Sequence, residues 1–180
     1  MKGVVFTEFL AFVEQRFGDD MVDDIIESSD LPSGGAYTTV GTYSHDEMTA
    51  LCGALAQRTS LPAPGLVREF GKHLSSSFAA GYPDFFERAG SFFDFLESIE
   101  AHIHVEVRKL YPDAELPTFA VEERTASRMV IVYRSPRRMA DLSEGLIIGS
   151  AGKFGVDVRV QATPLEETDG TATRFTIEVA

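Results

Sequence analysis

Apolar residues recur every three or four positions along the first two-thirds of the chain, a helical period. Val5, Phe6, Phe9, Leu10, Phe12 and Val13 share one stripe that Gly18 closes, and Met21, Val22, Ile25 and Ile26 mark a short second helix over Asp20 to Glu27. Leu31-Pro32-Ser33-Gly34-Gly35 breaks the pattern. Ser44 with Glu47 predicts a capping box ahead of a helix through Leu55. Pro62 and Pro64 open a further helix with Leu66, Val67, Phe70, Leu74 and Phe78 on one face, and Tyr82-Pro83 ends it. A long helix is predicted from Ser91 to Leu110, carried by Phe92, Phe95, Leu96, Ile99, Ile103, Val107 and Leu110, with Pro112 as its stop. Beyond it the pattern shifts to strands over Phe119–Glu123, Met129–Tyr133, Val156–Ala162 and Thr171–Val179, the last two with clear alternation. Met139 to Phe154 reads as a helix between the two pairs. The expectation is one α+β domain over residues 1–180. It has a helical lobe over about 1–60, then further helices and a β-β-α-β-β lobe with an antiparallel sheet over about 61–180.

Composition narrows the function classes. A net charge of -12 argues against nucleic acid or an anionic membrane surface as partner, since both demand a basic face. Cys52 is the only cysteine, which excludes an intrachain disulfide and a cysteine-built zinc site. The stretch Met1 to Glu8 reaches a carboxylate too early for a signal peptide, and no apolar run approaches the roughly 20 residues of a membrane span. A cytoplasmic protein is expected. The 14 Phe residues suit either ordinary helix packing or a large flat apolar ligand.

Two constellations carry chemistry. His102 and His104 lie on one helix but point about 200° apart, so only one can face a given pocket, and periodicity does not decide which. His45, beside a helix start, and His73, one position off an apolar stripe, read as surface residues. Tyr133, Ser135 and Arg137 project to one side if their strand continues, although Pro136 places the triplet at a loop mouth. Two hydroxyls and a planar guanidinium can together grip a carboxylate. There is no nucleophile–base pair, Gly-rich phosphate loop or paired-histidine motif, so an enzyme is not expected.

Taken jointly, these features resemble the H-NOX family, the haem nitric oxide/oxygen binding domains of bacteria that are similar to the haem domain of soluble guanylate cyclase. His104, opening His-Val-Glu-Val-Arg-Lys-Leu-Tyr-Pro, matches the family's proximal iron ligand. Pro117 falls where the family has a proline packed against the porphyrin and bending it, and Tyr133 begins the Tyr-x-Ser-x-Arg propionate clamp with Ser135 and Arg137. The resemblance therefore selects His104 over His102. It implies the H-NOX fold, with a b-type haem (iron protoporphyrin IX) held between the two lobes.

The resemblance also identifies a distal pocket, and there the chain departs from oxygen-binding members. Leu142 stands where those members have a tyrosine that hydrogen-bonds bound dioxygen, and Phe9 and Leu74 replace polar helpers. A lost hydrogen bond to a charged acceptor costs roughly 1.5–3 kcal/mol, about one to two decades of affinity. The expected pocket of Val5, Phe9, Leu74, Phe78 and Leu142 thus favours nitric oxide, and also carbon monoxide, over oxygen. Some relatives carry a C-terminal cysteine cluster, but the stretch Thr163 to Thr168 and its surroundings contain none. The implied function is a gas sensor that releases its proximal histidine on binding nitric oxide. As the chain ends at Ala180, the signal would pass to a separate protein, by resemblance a histidine kinase or a cyclic-di-GMP enzyme. Two alternatives stand beside it: an oxygen- or redox-responsive haem protein with a donor such as Tyr82, and a haem-free interaction module.

Overall fold

The computed structural model describes residues 1–166 and 168–179. Among these residues, eight α-helices and four strands follow in the order α1 (Gly3–Phe17), α2 (Asp19–Glu27), α3 (His45–Thr59), α4 (Ala63–Gly81), α5 (Pro83–Glu87), α6 (Phe92–Ser98), α7 (His104–Leu110), β1 (Thr118–Arg124), β2 (Arg128–Arg134), α8 (Ala140–Lys153), β3 (Val158–Pro164) and β4 (Ala172–Val179). The α+β class and the β-β-α-β-β order are as the sequence predicts. Gly18, at φ 90, makes the turn between α1 and α2 that a side chain would resist.

Three local features differ from expectation. The helix predicted over 91–110 is interrupted by a π-helical turn at Ile99–Ile103 between α6 and α7. Tyr82-Pro83 does not simply end α4: Pro83 starts α5, as proline does at a first helical position. The capping box at α3 is only half formed. Ser44 accepts from the Asp46 backbone N–H, but Glu47 does not reach back. Its carboxylate is buried and instead accepts from the hydroxyls of Ser33 and Tyr37, a buried polar group drawn to long-range donors.

The sheet is antiparallel in the order β1-β2-β4-β3, with Ile131 opposite Phe175 and Met129 opposite Ile177 at its centre. Those four residues, with Tyr133, pack against Phe92, Phe95 and Leu96 of α6 and Ile147 and Ala151 of α8. A second core joins α1, α3 and α4 through residues such as Phe6, Phe9, Met48, Leu51 and Phe70. Helix α8 bridges the two cores, since its Leu142 belongs to the helical one.

Glycines bring α8 and α4 into close contact. A Cβ on Gly145 would lie 2.1 Å from the Arg68 carbonyl oxygen, and one on Gly71 would lie 2.5 Å from that of Leu142. Only hydrogen fits at either place. Backbone therefore meets backbone along this crossing, and the side chains flanking it, Leu74 and Phe78 on α4 and Leu142 and Leu146 on α8, form one wall of the space between the lobes.

Candidate haem site

Between the helical lobe and the sheet lies an apolar cavity of about 410 Å³, within the range of small-molecule and cofactor sites. His104 is in its wall and is 8% exposed. The π-turn explains how it gets there. Eight residues of regular α-helix turn by about 800°, which would set residue 104 about 80° away from the face of Leu96. Absorbing one extra residue in a π-turn brings that offset to about 20°. His104 then shares the inward face of α6.

The imidazole is held on one side and free on the other. His104 Nδ1 lies 2.6 Å from Glu100 Oε1, and Nε2 has no protein partner among the described residues. The ring also lies 6.0 Å from that of Phe119. Burial pushes its pKa below the usual histidine value, against the opposing pull of Glu100. The neutral form, with Nδ1–H donated to Glu100 and an open lone pair on Nε2, is the form that ligates a metal.

The predicted clamp also lines the cavity. Tyr133 and Ser135 are buried, and Arg137 keeps only 14% of its side chain exposed. Strand β2 ends at Arg134, as Pro136 foretells. The Tyr133 hydroxyl accepts from the Met139 backbone N–H at 3.2 Å, and Ser135 Oγ accepts from the Arg137 backbone N–H at 3.2 Å. Each hydroxyl therefore keeps its own proton to donate. The Arg137 guanidinium donates to the backbone oxygen of Glu115 at 2.7 Å and to its carboxylate at 3.1 Å. The Glu115 carboxylate is exposed, so water competes with it for the guanidinium. Pro117 follows in the same loop and reaches the cavity wall.

Of the expected apolar pocket, Val5, Leu74, Phe78 and Leu142 line the cavity. Phe9 does not. Its ring turns into the helical core, edge-on to Phe70 at 5.1 Å and 6.4 Å from Phe12, because aromatic packing there buries it completely. His73 is likewise not a surface residue: it is half-buried, 5.7 Å from the Phe12 ring and 3.4 Å from the Glu8 carboxylate. His102 is exposed, with its ring edge toward Phe85, and His45 lies away from the cavity. His104 is the one histidine of the four in the wall.

Sequence reasoning missed Glu100, although a carboxylate four residues before a histidine is a spacing that brings helical side chains together. It also missed the hydroxyls of Ser75, Ser143 and Ser150 in the cavity wall, the first and last of which hydrogen-bond each other at 3.0 Å. Nothing in a local pattern marks those serines. Cys52 is buried and its thiol is pushed up to about 12, so it is inert at neutral pH.

An apolar cavity with one imidazole in its wall and two hydroxyls and a guanidinium among its lining residues is that of a cofactor-holding domain, and the donor set suits a metalloporphyrin. The sequence matches the Haem-NO-binding family model over residues 2–162, so the chain belongs to that family of haem-based gas sensors. The solved structures agree. The unliganded Fe(II) H-NOX protein from K. algicida superposes with a TM-score of 0.94 at 42% identity, covering 100% of this chain and 97% of that one. The S. oneidensis H-NOX protein in the Fe(II)NO state gives 0.91 at 26%, covering 100% and 99%. The Shewanella woodyi H-NOX, in the Fe(II)CO state with IWP-051 bound, gives 0.84 at 38%, covering 100% and 95%. Soluble guanylate cyclase 89Db of Drosophila melanogaster is 26% identical over 139 residues, which are 76% of this chain but 20% of the cyclase. No helix among the described residues is long and apolar enough to cross a membrane.

Proposed function

We propose that this chain is a non-enzymatic nitric oxide sensor carrying haem b, with His104 as the proximal ligand. The observation that carries the reading is the buried His104 imidazole, its Nε2 without a protein partner among the described residues, in an apolar cavity that Tyr133, Ser135 and Arg137 also line. Ferrous haem supplies an open coordination position for a diatomic gas. The two hydroxyls and the guanidinium would hold its propionates, and Pro117 would pack against its face. Val5, Leu74, Phe78 and Leu142 place apolar surface where an oxygen-binding site needs a donor, which supports nitric oxide and carbon monoxide over oxygen.

His104 is the moving part of the proposed signal. It sits at the junction of a π-turn and a short helix, followed directly by the loop that carries Glu115 and Pro117. Were His104 to hold iron, its release would allow that segment to shift relative to the N-terminal lobe, which it meets through the Lys2 and Thr42 contacts with Asp113. Such a segment is the two-state element that a ligand can bias. The receiver would be a separate cytoplasmic signalling protein, by family resemblance a histidine kinase or a cyclic-di-GMP enzyme of a bacterium.

The cavity hydroxyls of Ser143 and the half-exposed Tyr82 favour one competing reading, an oxygen-responsive haem protein. Ultraviolet–visible spectra of the ferrous protein decide between them. We expect a five-coordinate histidine-ligated spectrum, unchanged by air on the timescale of gas exchange and converted by nitric oxide to one lacking histidine. A stable oxygen complex would establish the competing reading. A colourless protein after expression with ample haem would leave only a haem-free interaction module.

A further inference from the structure

We infer that Glu100 is a positioning residue for His104 that sets how firmly the histidine holds iron, and so how readily the sensor fires. The inference rests on the haem-sensor reading above.

The geometry is specific. Glu100 Oε1 and His104 Nδ1 are 2.6 Å apart, a short contact for a nitrogen donor on a carboxylate. The acceptor lies within the π-turn and the donor is the residue that directly follows it. The same turn that rotates His104 toward the cavity therefore carries its partner. With His104 buried and Glu100 partly exposed, water solvates the carboxylate while the imidazole stays in a low-dielectric wall. There the hydrogen bond is strong and the tautomer is fixed, with the proton on Nδ1 and the lone pair on Nε2.

Two effects follow for a metal on Nε2. Fixing Nδ1–H limits ring rotation, so Nε2 stays aimed into the cavity. Withdrawing that proton toward a carboxylate moves electron density to Nε2, which makes the imidazole a stronger donor. Partners of this kind typically change metal affinity or activity by 10- to 100-fold when removed. In a sensor whose output is the loss of its proximal ligand, that factor falls on the release equilibrium itself. Arg108 acts in the opposite sense, since its charge disfavours positive charge on the same ring.

The test compares the whole haem-loaded chain with Glu100→Gln and Glu100→Ala by resonance Raman spectroscopy of the ferrous form. Glutamine keeps an acceptor oxygen without the full charge, and alanine keeps neither. The iron–histidine stretching band should fall in the order wild type, Gln, Ala. Release of the histidine under nitric oxide should become about 10- to 100-fold more favourable in the Ala variant. Circular dichroism and haem content check that both variants fold and load, and the Gln variant reports on the charge even if Ala loses haem. A residue that only packed the helix would leave the band unmoved. An iron–histidine band at one frequency in all three proteins overturns the inference and leaves the sensor reading intact. Absence of any such band from the wild type overturns the sensor reading, and the inference with it.

Discussion

Replacing Gly145 by alanine tests whether the α4–α8 crossing is as tight as the structure has it. The added Cβ would sit 2.1 Å from the Arg68 carbonyl oxygen and 2.9 Å from both the Arg68 carbonyl carbon and the Gly71 Cα. All three are backbone atoms, so no side chain can swing aside, and the two helices must part. Overpacking of this kind costs about 1–3 kcal/mol. For a chain of this size each kcal/mol lowers Tm by roughly 2–4 °C, which gives a drop of about 2–12 °C. Gly152 is the internal control: it lies on the same helix, yet nothing stands within 4 Å of its added Cβ. Gly152→Ala removes a flexible residue from a helix and should stabilise by about 0.5–1 kcal/mol, raising Tm slightly. Differential scanning calorimetry of the two variants gives the comparison. Flash-photolysis rebinding of carbon monoxide should change in Gly145→Ala, because parting the helices moves Leu142 and Leu74, and should not change in Gly152→Ala. Equal melting temperatures for Gly145→Ala and Gly152→Ala would refute the close backbone contact and the cavity wall built on it.

Three further outcomes are expected. His104→Gly should keep the apolar cavity but lose the protein's hold on iron, and added imidazole should restore a five-coordinate ferrous spectrum; the same rescue in His102→Gly but not in His104→Gly would mean the wrong histidine has been assigned. Leu142→Tyr should place a hydroxyl in the cavity and raise oxygen affinity by about ten- to a hundredfold, less whatever overpacking costs, as read from oxygen titration of the ferrous protein. An affinity no higher than wild type in a folded variant would remove Leu142 from the gas pocket. Arg137→Ala should speed haem transfer to an apo acceptor more than Ser135→Ala does, with Arg137→Lys between them because it keeps charge and loses the planar fork; equal transfer rates for wild type, Lys and Ala would remove Arg137 from the clamp.

Much of this was already present in the order of residues. Burial of each helix stripe and strand face is a property that a side chain states for itself, so a period of three to four or of two survives as a readable pattern. That is why the eye finds α1, α4, α8 and the alternation of β4 without coordinates. That Tyr133, Ser135 and Arg137 come to one place was legible for a similar reason. Tyr133, Ser135 and Arg137 are close in sequence, and a strand ending at a proline leaves few places for them to go. Cys52 as the sole cysteine and the charge of -12 needed only counting.

What escaped the sequence depends on choices between partners far apart or between nearly equal backbone registers. Glu47 has the spacing of a capping residue, but Ser33 and Tyr37 are brought to it by the fold and outcompete the helix end. Phe9 has the position of a pocket residue, but Phe70, 61 positions later, captures its ring. His102 and His104 were equivalent on a regular helix, and a single residue absorbed at Ile99–Ile103 breaks the tie by rotating everything after it. The sequence by itself determined most of the elements, the donor types and the family. Tertiary structure decided which imidazole faces the cavity, what holds its far side, and which apolar residues line the space, because those outcomes turn on three-dimensional neighbours that local patterns do not encode.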